Sequence, residues 1–277
     1  MLIYLNGRYL PLEEASISVE DRGFLFADGV YEVVRIVKGK PHLLQEHLDR
    51  MAAGLAALRI EFDGIEGLEE VTSRLVEENQ LNDDATLYLQ VTRGSAPRKH
   101  AFPAPGTPPT VLAMARPFTP HPASLYENGV PVITVPDIRW SRCDIKSIAL
   151  LPNVLANQKA KESGAHEAIL VRDGVLLEGS QSNLFAVKNG TLITYPACNY
   201  ILAGITRALV LDIARRLGIP TREAPIHLAD FDRIDELFLT GTTTEVMPVV
   251  SVDGRVVADG KPGPVTKRLL EAYREEL

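Results

Sequence analysis

The stretch EAILVRDGVLLEGSQSNLFAVKNGTLITYP, Glu167 to Pro196, reads as two β-hairpins in succession. Asp173-Gly174 and Asn189-Gly190 each sit between apolar runs, and such pairs supply the positive φ angles of tight hairpin turns. Strands joined that way run antiparallel, so the chain is not a regular strand–helix alternation around a wholly parallel sheet. Between the hairpins stands Glu178-Gly179, followed by Ser180, Ser182 and Asn183. A single carboxylate at a strand end is usually solvated. A cluster of small hydrogen-bonding side chains beside it, against a core strand, is unusual.

The same grammar extends outward. LIYLNGRYLPL turns at Asn6-Gly7, YEVVRIVKGKPHLL reads as another hairpin, and Asp253-Gly254 closes a further one. From Leu44 the period changes: Leu48, Met51, Leu55 and Leu58 recur every three or four residues, which predicts an amphipathic helix. The same pattern predicts helices over residues 65–79, over 151–163 with Pro152 in the first turn, and over 206–217 closed by Gly218. TLYLQVTRG and PTVLAMARP read as strands around the polar loop SAPRKHAFPAPGTPP. Prolines gather and periodicity stops in RPFTPHPAS, residues 116–124, which marks a linker. The expected fold is therefore two α/β domains of the α+β kind joined by a short linker: a smaller one over 1–118 and a larger one over 119–277.

The bulk composition narrows the function. The chain has 277 residues, 45% of them hydrophobic, and a net charge of −7, which argues against a nucleic-acid-binding face. Its two cysteines make neither a disulfide framework nor a metal cluster, so no metal is expected. No segment approaches a membrane span, and the first residues lack a signal-peptide pattern. These features predict a soluble protein of a reducing compartment, the cytoplasm.

Lys146, in RCDIKSIALLPNVLA, is the residue that needs an explanation. It stands between Ile145 and Ile148. A lysine among apolar residues commonly snorkels its ammonium to water. The sharper reading is a desolvated amine that attacks carbonyls and forms a Schiff base. Pyridoxal phosphate is the commonest cofactor to use one. It asks for a carboxylate at its ring nitrogen, which Glu178 could supply, and for a phosphate cradle. Gly204, Ile205 and Thr206 begin a helix, although a threonine there is also an ordinary N-cap. Gly241, Thr242 and Thr243 end a strand.

With these residues assembled, the chain resembles the class IV (fold type IV) pyridoxal-phosphate aminotransferases. EDRGFLFADGVYEVVRI, EHLDR, RWSRCDIKSIALLPNVLA, EAILVRDGVLLEGSQSNLFAV, ILAGITR and ELFLTGTTTEVMPV carry the resemblance, in that order and over essentially the whole chain. It implies Lys146 as the Schiff-base lysine and proton carrier, and Glu178 as the partner of the ring nitrogen. It implies Arg50, Ile205, Thr206 and Thr242 as phosphate ligands and Leu202 as a residue packed near the ring. Arg139 and Asn183 lie in family-typical segments and receive no firm role. Within VTRGSAPRKHAF, Arg98 and His100 resemble the Arg-x-His loop of the D-amino acid branch, with Tyr31 as its companion on the substrate carboxylate. A guanidinium fork suits that task. The expected activity is D-amino acid:2-oxo acid amino transfer in a homodimer, with the loop reaching the neighbour's site. The alternatives are a branched-chain L-amino acid aminotransferase and an aminodeoxychorismate lyase. Arg35, Gln181 and Gly241 depart from the family pattern and leave substrate preference open.

Overall fold

The computed structural model describes all 277 residues and divides into two compact units. The first comprises Met1–Pro120 together with Ile145–Ala149, and the second the remainder. The sequence draws the boundary two residues earlier and assigns Lys146 to the second domain. Main-chain hydrogen bonds explain the difference. Tyr31 N–H donates to the Lys146 carbonyl (3.0 Å), and Ile148 N–H to the Gly29 carbonyl (3.1 Å). Ser147 also bridges Val30. Gly29 has no room for a side chain: a Cβ there would strike the Val91 carbonyl and crowd the Ile148 side chain.

The first unit is one antiparallel sheet with helices against one face. Its elements are β1 (Leu2–Leu5), β2 (Arg8–Pro11), α1 (Arg22–Phe26), β3 (Gly29–Val37), β4 (Lys40–Pro41), α2 (Leu44–Leu58), α3 (Gly67–Glu78), β5 (Ala85–Thr92) and β6 (Thr110–Pro117). The strands order as β2-β1-β6-β5-β3-β4. Alternation along β3 sends Val30, Val34 and Ile36 into the core with Leu48, Met51 and Leu55 of α2. Tyr31, Val33 and Arg35 take the opposite face. α1 has no period to betray it in five residues; it exists because Asp21 caps it, accepting from the N–H groups of Gly23 and Phe24.

The second unit comprises α4 (Ala123–Asn128), β7 (Val130–Pro136), α5 (Leu151–Glu162), β8 (Glu167–Arg172), β9 (Val175–Gly179), β10 (Asn183–Lys188), β11 (Thr191–Thr194), α6 (Ile205–Arg216), β12 (Thr221–Glu223), β13 (Ile226–His227), β14 (Glu236–Gly241), β15 (Glu245–Val252), β16 (Arg255–Val256) and α7 (Pro264–Glu275). The predicted hairpins are present as β8–β9, β10–β11 and β15–β16. The strands order as β12-β11-β10-β14-β15-β7-β8-β9-β13. β9 also pairs with β10 through Glu178 and Asn183, so β10, β14, β15, β7, β8 and β9 return on themselves. Phe185 and Phe238 stack at 5.0 Å at the centre of the main core. Only β7–β8, β7–β15 and β11–β12 are parallel. The expected linker is shorter than 116–124, because β6 runs to Pro117 and α4 starts at Ala123.

Candidate active site

Lys146 is half-buried, with Ile145 and Ser147 buried on either side of it. Its Nζ donates to the Tyr31 hydroxyl at 3.4 Å and lies 4.4 Å from the centre of that ring. Tyr31 is steadied in turn by Tyr88, stacked at 5.8 Å, whose hydroxyl donates to Gln90 Oε1. Burial pushes the Tyr88 phenol up to about 12, so it stays a neutral donor. The lysine and the tyrosine singled out in the sequence are thus neighbours within the first unit. Arg35 shares the Tyr31 face of β3, is buried, and forks onto Asp84 through Nε (3.1 Å) and Nη2 (2.9 Å).

Arg50, on α2, faces the apolar side of β3. There Glu32 is 0% exposed among valines and isoleucine. Its carboxylate accepts from Arg50 Nε and Nη2, each at 2.7 Å, and from His47 Nδ1 at 2.7 Å. Burial alone would raise the Glu32 pKa, but the hydrogen bonds and charges of Arg50 and His47 win and hold it at about 2. An ionised carboxylate only accepts, so His47 Nδ1 must carry the proton. An ordinary glutamate titrates near 4.5, so this stabilisation is complete above that pH and is lost as the pH falls towards 2. Glu32→Gln is expected to cost about 3 kcal/mol, the low end for breaking a buried pair. Chemical denaturation at pH 7 checks this, and the gap between variant and wild type should close on acidification.

Arg98 and His100 lie in the β5–β6 loop, and both are exposed. Both rest on Phe26: the Arg98 guanidinium is 5.0 Å from that ring's centre and the His100 ring is 5.5 Å from it.

The second unit builds a separate constellation where its sheet closes. Glu178 is buried. It accepts from Arg139 Nη1, from Asn183 Nδ2 at 3.0 Å and from the Leu202 N–H at 3.1 Å. Desolvation dominates and pushes its carboxyl up to about 7, against the pull of Arg139. Arg139 is held by Asp137, which accepts from its Nε at 2.9 Å. Asn183 ties the surroundings together. It sits opposite both Glu178 and Thr240 in the sheet and donates to the Leu202 carbonyl at 2.8 Å. Its Oδ1 leaves no room for a Cβ at Gly204, the residue that opens α6. Thr206 is therefore not an N-cap: it is buried inside the first turn, and no side chain caps Gly204. The first turn of α6 presents N–H groups without intrahelical partners. Nearby, β14 ends in Thr240, whose buried Oγ1 has no hydrogen-bond partner, then Gly241 and the turn of Thr242. Ser180 and Ser182 donate to buried Glu167, which also accepts from the Gln181 N–H at 2.6 Å and so fixes the β9–β10 turn.

The family model described as amino-transferase class IV matches residues 29–252. The chain belongs to the class IV aminotransferases. It is 43% identical over 278 residues to a D-alanine aminotransferase of Bacillus licheniformis, covering 100% of this chain and 97% of the relative. It is 41% identical to a D-alanine aminotransferase of Staphylococcus aureus, over 99% and 96% of the two chains. Among solved structures it superposes with a TM-score of 0.91 and 28% identity on the Escherichia coli branched-chain amino acid aminotransferase, over 99% and 93% of the two chains.

For a class IV aminotransferase, the sequence reading left Glu32, His47, Arg139 and Asn183 without roles. Glu32 had a usable signal: it is the one charged residue on the apolar phase of β3. A charge there requires a buried partner, and a helix carrying His47 and Arg50 follows directly. Arg139 and Asn183 carried no such signal, because their contacts depend on how the sheet closes.

Proposed function

We propose that this chain is a D-amino acid aminotransferase dependent on pyridoxal 5'-phosphate, passing the amino group of D-alanine or D-glutamate to 2-oxo acids such as 2-oxoglutarate or pyruvate. The whole-chain likeness to D-alanine aminotransferases carries the reading. We place it in the cytoplasm as a homodimer; no helix is long and apolar enough to cross a membrane.

The residues fit the cofactor. An uncapped helix N-terminus, a glycine that leaves the backbone accessible, and an orphaned threonine hydroxyl together suit an oxyanion. Ile205 and Thr206 would hold the phosphate, with Thr242 and Arg50 completing its ligands. Leu202 would pack against the ring. When bound, the cofactor supplies an aldehyde that captures amines and a ring that takes up the charge left on a substrate Cα. Lys146 would hold the cofactor through its amine and, when free, would serve as the base and acid that moves the proton between the substrate Cα and the cofactor carbon that carries the amine. Tyr31 is placed to orient that amine by the hydrogen bond already present. Glu178, anchored by Arg139 and ionised against the positive nitrogen of a bound ring, would keep that nitrogen protonated. Arg98 and His100, exposed on their loop, would grip the substrate carboxylate in the partner's site, together with Tyr31.

A second reading has an observation behind it, since the solved structure above is a branched-chain enzyme. A donor panel separates the two. D-alanine and D-glutamate are expected to outpace their L-enantiomers and L-leucine, and a preference for L-leucine would move the chain to the branched-chain reading. Arg98→Ala is expected to raise KM for all D-donors alike by roughly ten- to a hundred-fold, since each carries the carboxylate. A loss confined to D-glutamate would make Arg98 a side-chain reader instead.

A further inference from the structure

We propose that Arg22 is a positioning residue for substrate binding. It clamps the main chain of the Arg98–His100 loop from beneath and leaves both side chains free to meet a carboxylate. The proposal rests on the reading of Arg98 and His100 given above. Arg22 opens α1 and is only 4% exposed. Its Nη1 donates to the carbonyls of Lys99 (2.7 Å) and Ala101 (3.3 Å), and its Nη2 to that of His100 (3.5 Å). Three consecutive carbonyls therefore point inward onto one guanidinium, while the side chains of Arg98, Lys99 and His100 are exposed. Four residues on, Phe26 provides the floor. Arg22 lies 4.8 Å from its centre, and Arg98 and His100 rest on the same ring.

The clamp is itself held fast. Arg22 Nε donates to Asp28 Oδ2 at 2.8 Å, and Arg93 forks onto both oxygens of Asp28. Arg93 also donates to the carbonyls of Leu58 (2.7 Å) and Arg59 (2.8 Å) at the end of α2. The Arg22 N–H donates to the Gly94 carbonyl at 2.9 Å, at the root of the loop. Chain closure alone leaves a long, proline-rich surface loop many conformations, and a bidentate site needs one. Arg22 selects it, because a planar fork can reach neighbouring carbonyls that an ammonium cannot.

Arg22→Met removes the fork without stranding Asp28, which keeps Arg93. In the holoenzyme this variant is expected to raise KM for D-alanine and for the 2-oxo acid about ten-fold, to change kcat less than about three-fold, and to leave the cofactor's visible absorbance intact. Hydrogen exchange should rise in residues 95–101 and not in β3. Arg22→Lys, which keeps the charge beside Asp28, should lie between the two in both readouts. Combined with Arg98→Ala, Arg22→Met should add little, because both act through one loop. If Arg98→Ala raises KM but Arg22→Met and Arg22→Lys do not, the positioning role is wrong. If Arg98→Ala leaves KM unchanged, the carboxylate reading itself fails. A uniform fall in kcat with rising exchange throughout the first unit would make Arg22 merely structural and overturn the proposal.

Discussion

Lys146→Ala is expected to lose amino transfer by about 10⁴-fold or more, because the amine that holds the cofactor and the group that moves the Cα proton disappear together. The loss should not come from misfolding. Lys146 is held in the first unit by its carbonyl, which accepts from the Tyr31 N–H, and by the bridge of Ser147 to Val30. Neither uses the side chain. The substitution removes the 3.4 Å hydrogen bond to the Tyr31 hydroxyl and the ammonium's contact with that ring, while Tyr31 keeps its stacking on Tyr88. The variant should therefore melt close to wild type while losing the visible absorbance of a lysine-bound cofactor. Single-turnover transfer from D-alanine is the decisive measurement. A rate within ten-fold of wild type would remove Lys146 from the chemistry and return it to the snorkelling lysine that its surroundings first suggest.

Much of this was legible in the sequence, because hairpin turns and helical periods are local signals. Asn6-Gly7, Asp173-Gly174, Asn189-Gly190 and Asp253-Gly254 all sit at turns with positive φ. Helix α2 follows the period of Leu48, Met51 and Leu55. What escaped is non-local. α1 is too short to show a period, and it depends on Asp21, whose other oxygen accepts from Thr92 (3.0 Å) and Thr110 (2.6 Å), far along the chain. The first unit's claim on Ile145–Ala149 rests on main-chain bonds that no side-chain pattern announces. Lys146 and Glu178 could be proposed from residue type and setting. Arg139, Asn183 and Arg22 could not, because a polar residue shows its task only when its partners are known.

Glu178→Gln tests whether a charge, rather than a shape, is required. Glu178 accepts from Arg139, Asn183 and the Leu202 N–H, and it donates to none of them. A glutamine can point its oxygen at only one side of this ring of donors, which leaves its own NH₂ facing another donor. The expected stability cost is about 1–3 kcal/mol. Arg139 is not stranded, because Asp137 still accepts from its Nε and Nη2. The fold should persist, and so should cofactor binding, since the proposed phosphate ligands Arg50, Ile205, Thr206 and Thr242 do not include this residue. Turnover should nevertheless fall by roughly 10³-fold, with KM changing much less, because a neutral amide cannot keep a proton on the ring nitrogen as charge arrives there. A variant that bound cofactor and kept most of its kcat would shift the role to another buried carboxylate. Asp137, whose side chain is 0% exposed on the far side of the same arginine, would then be the group to change next.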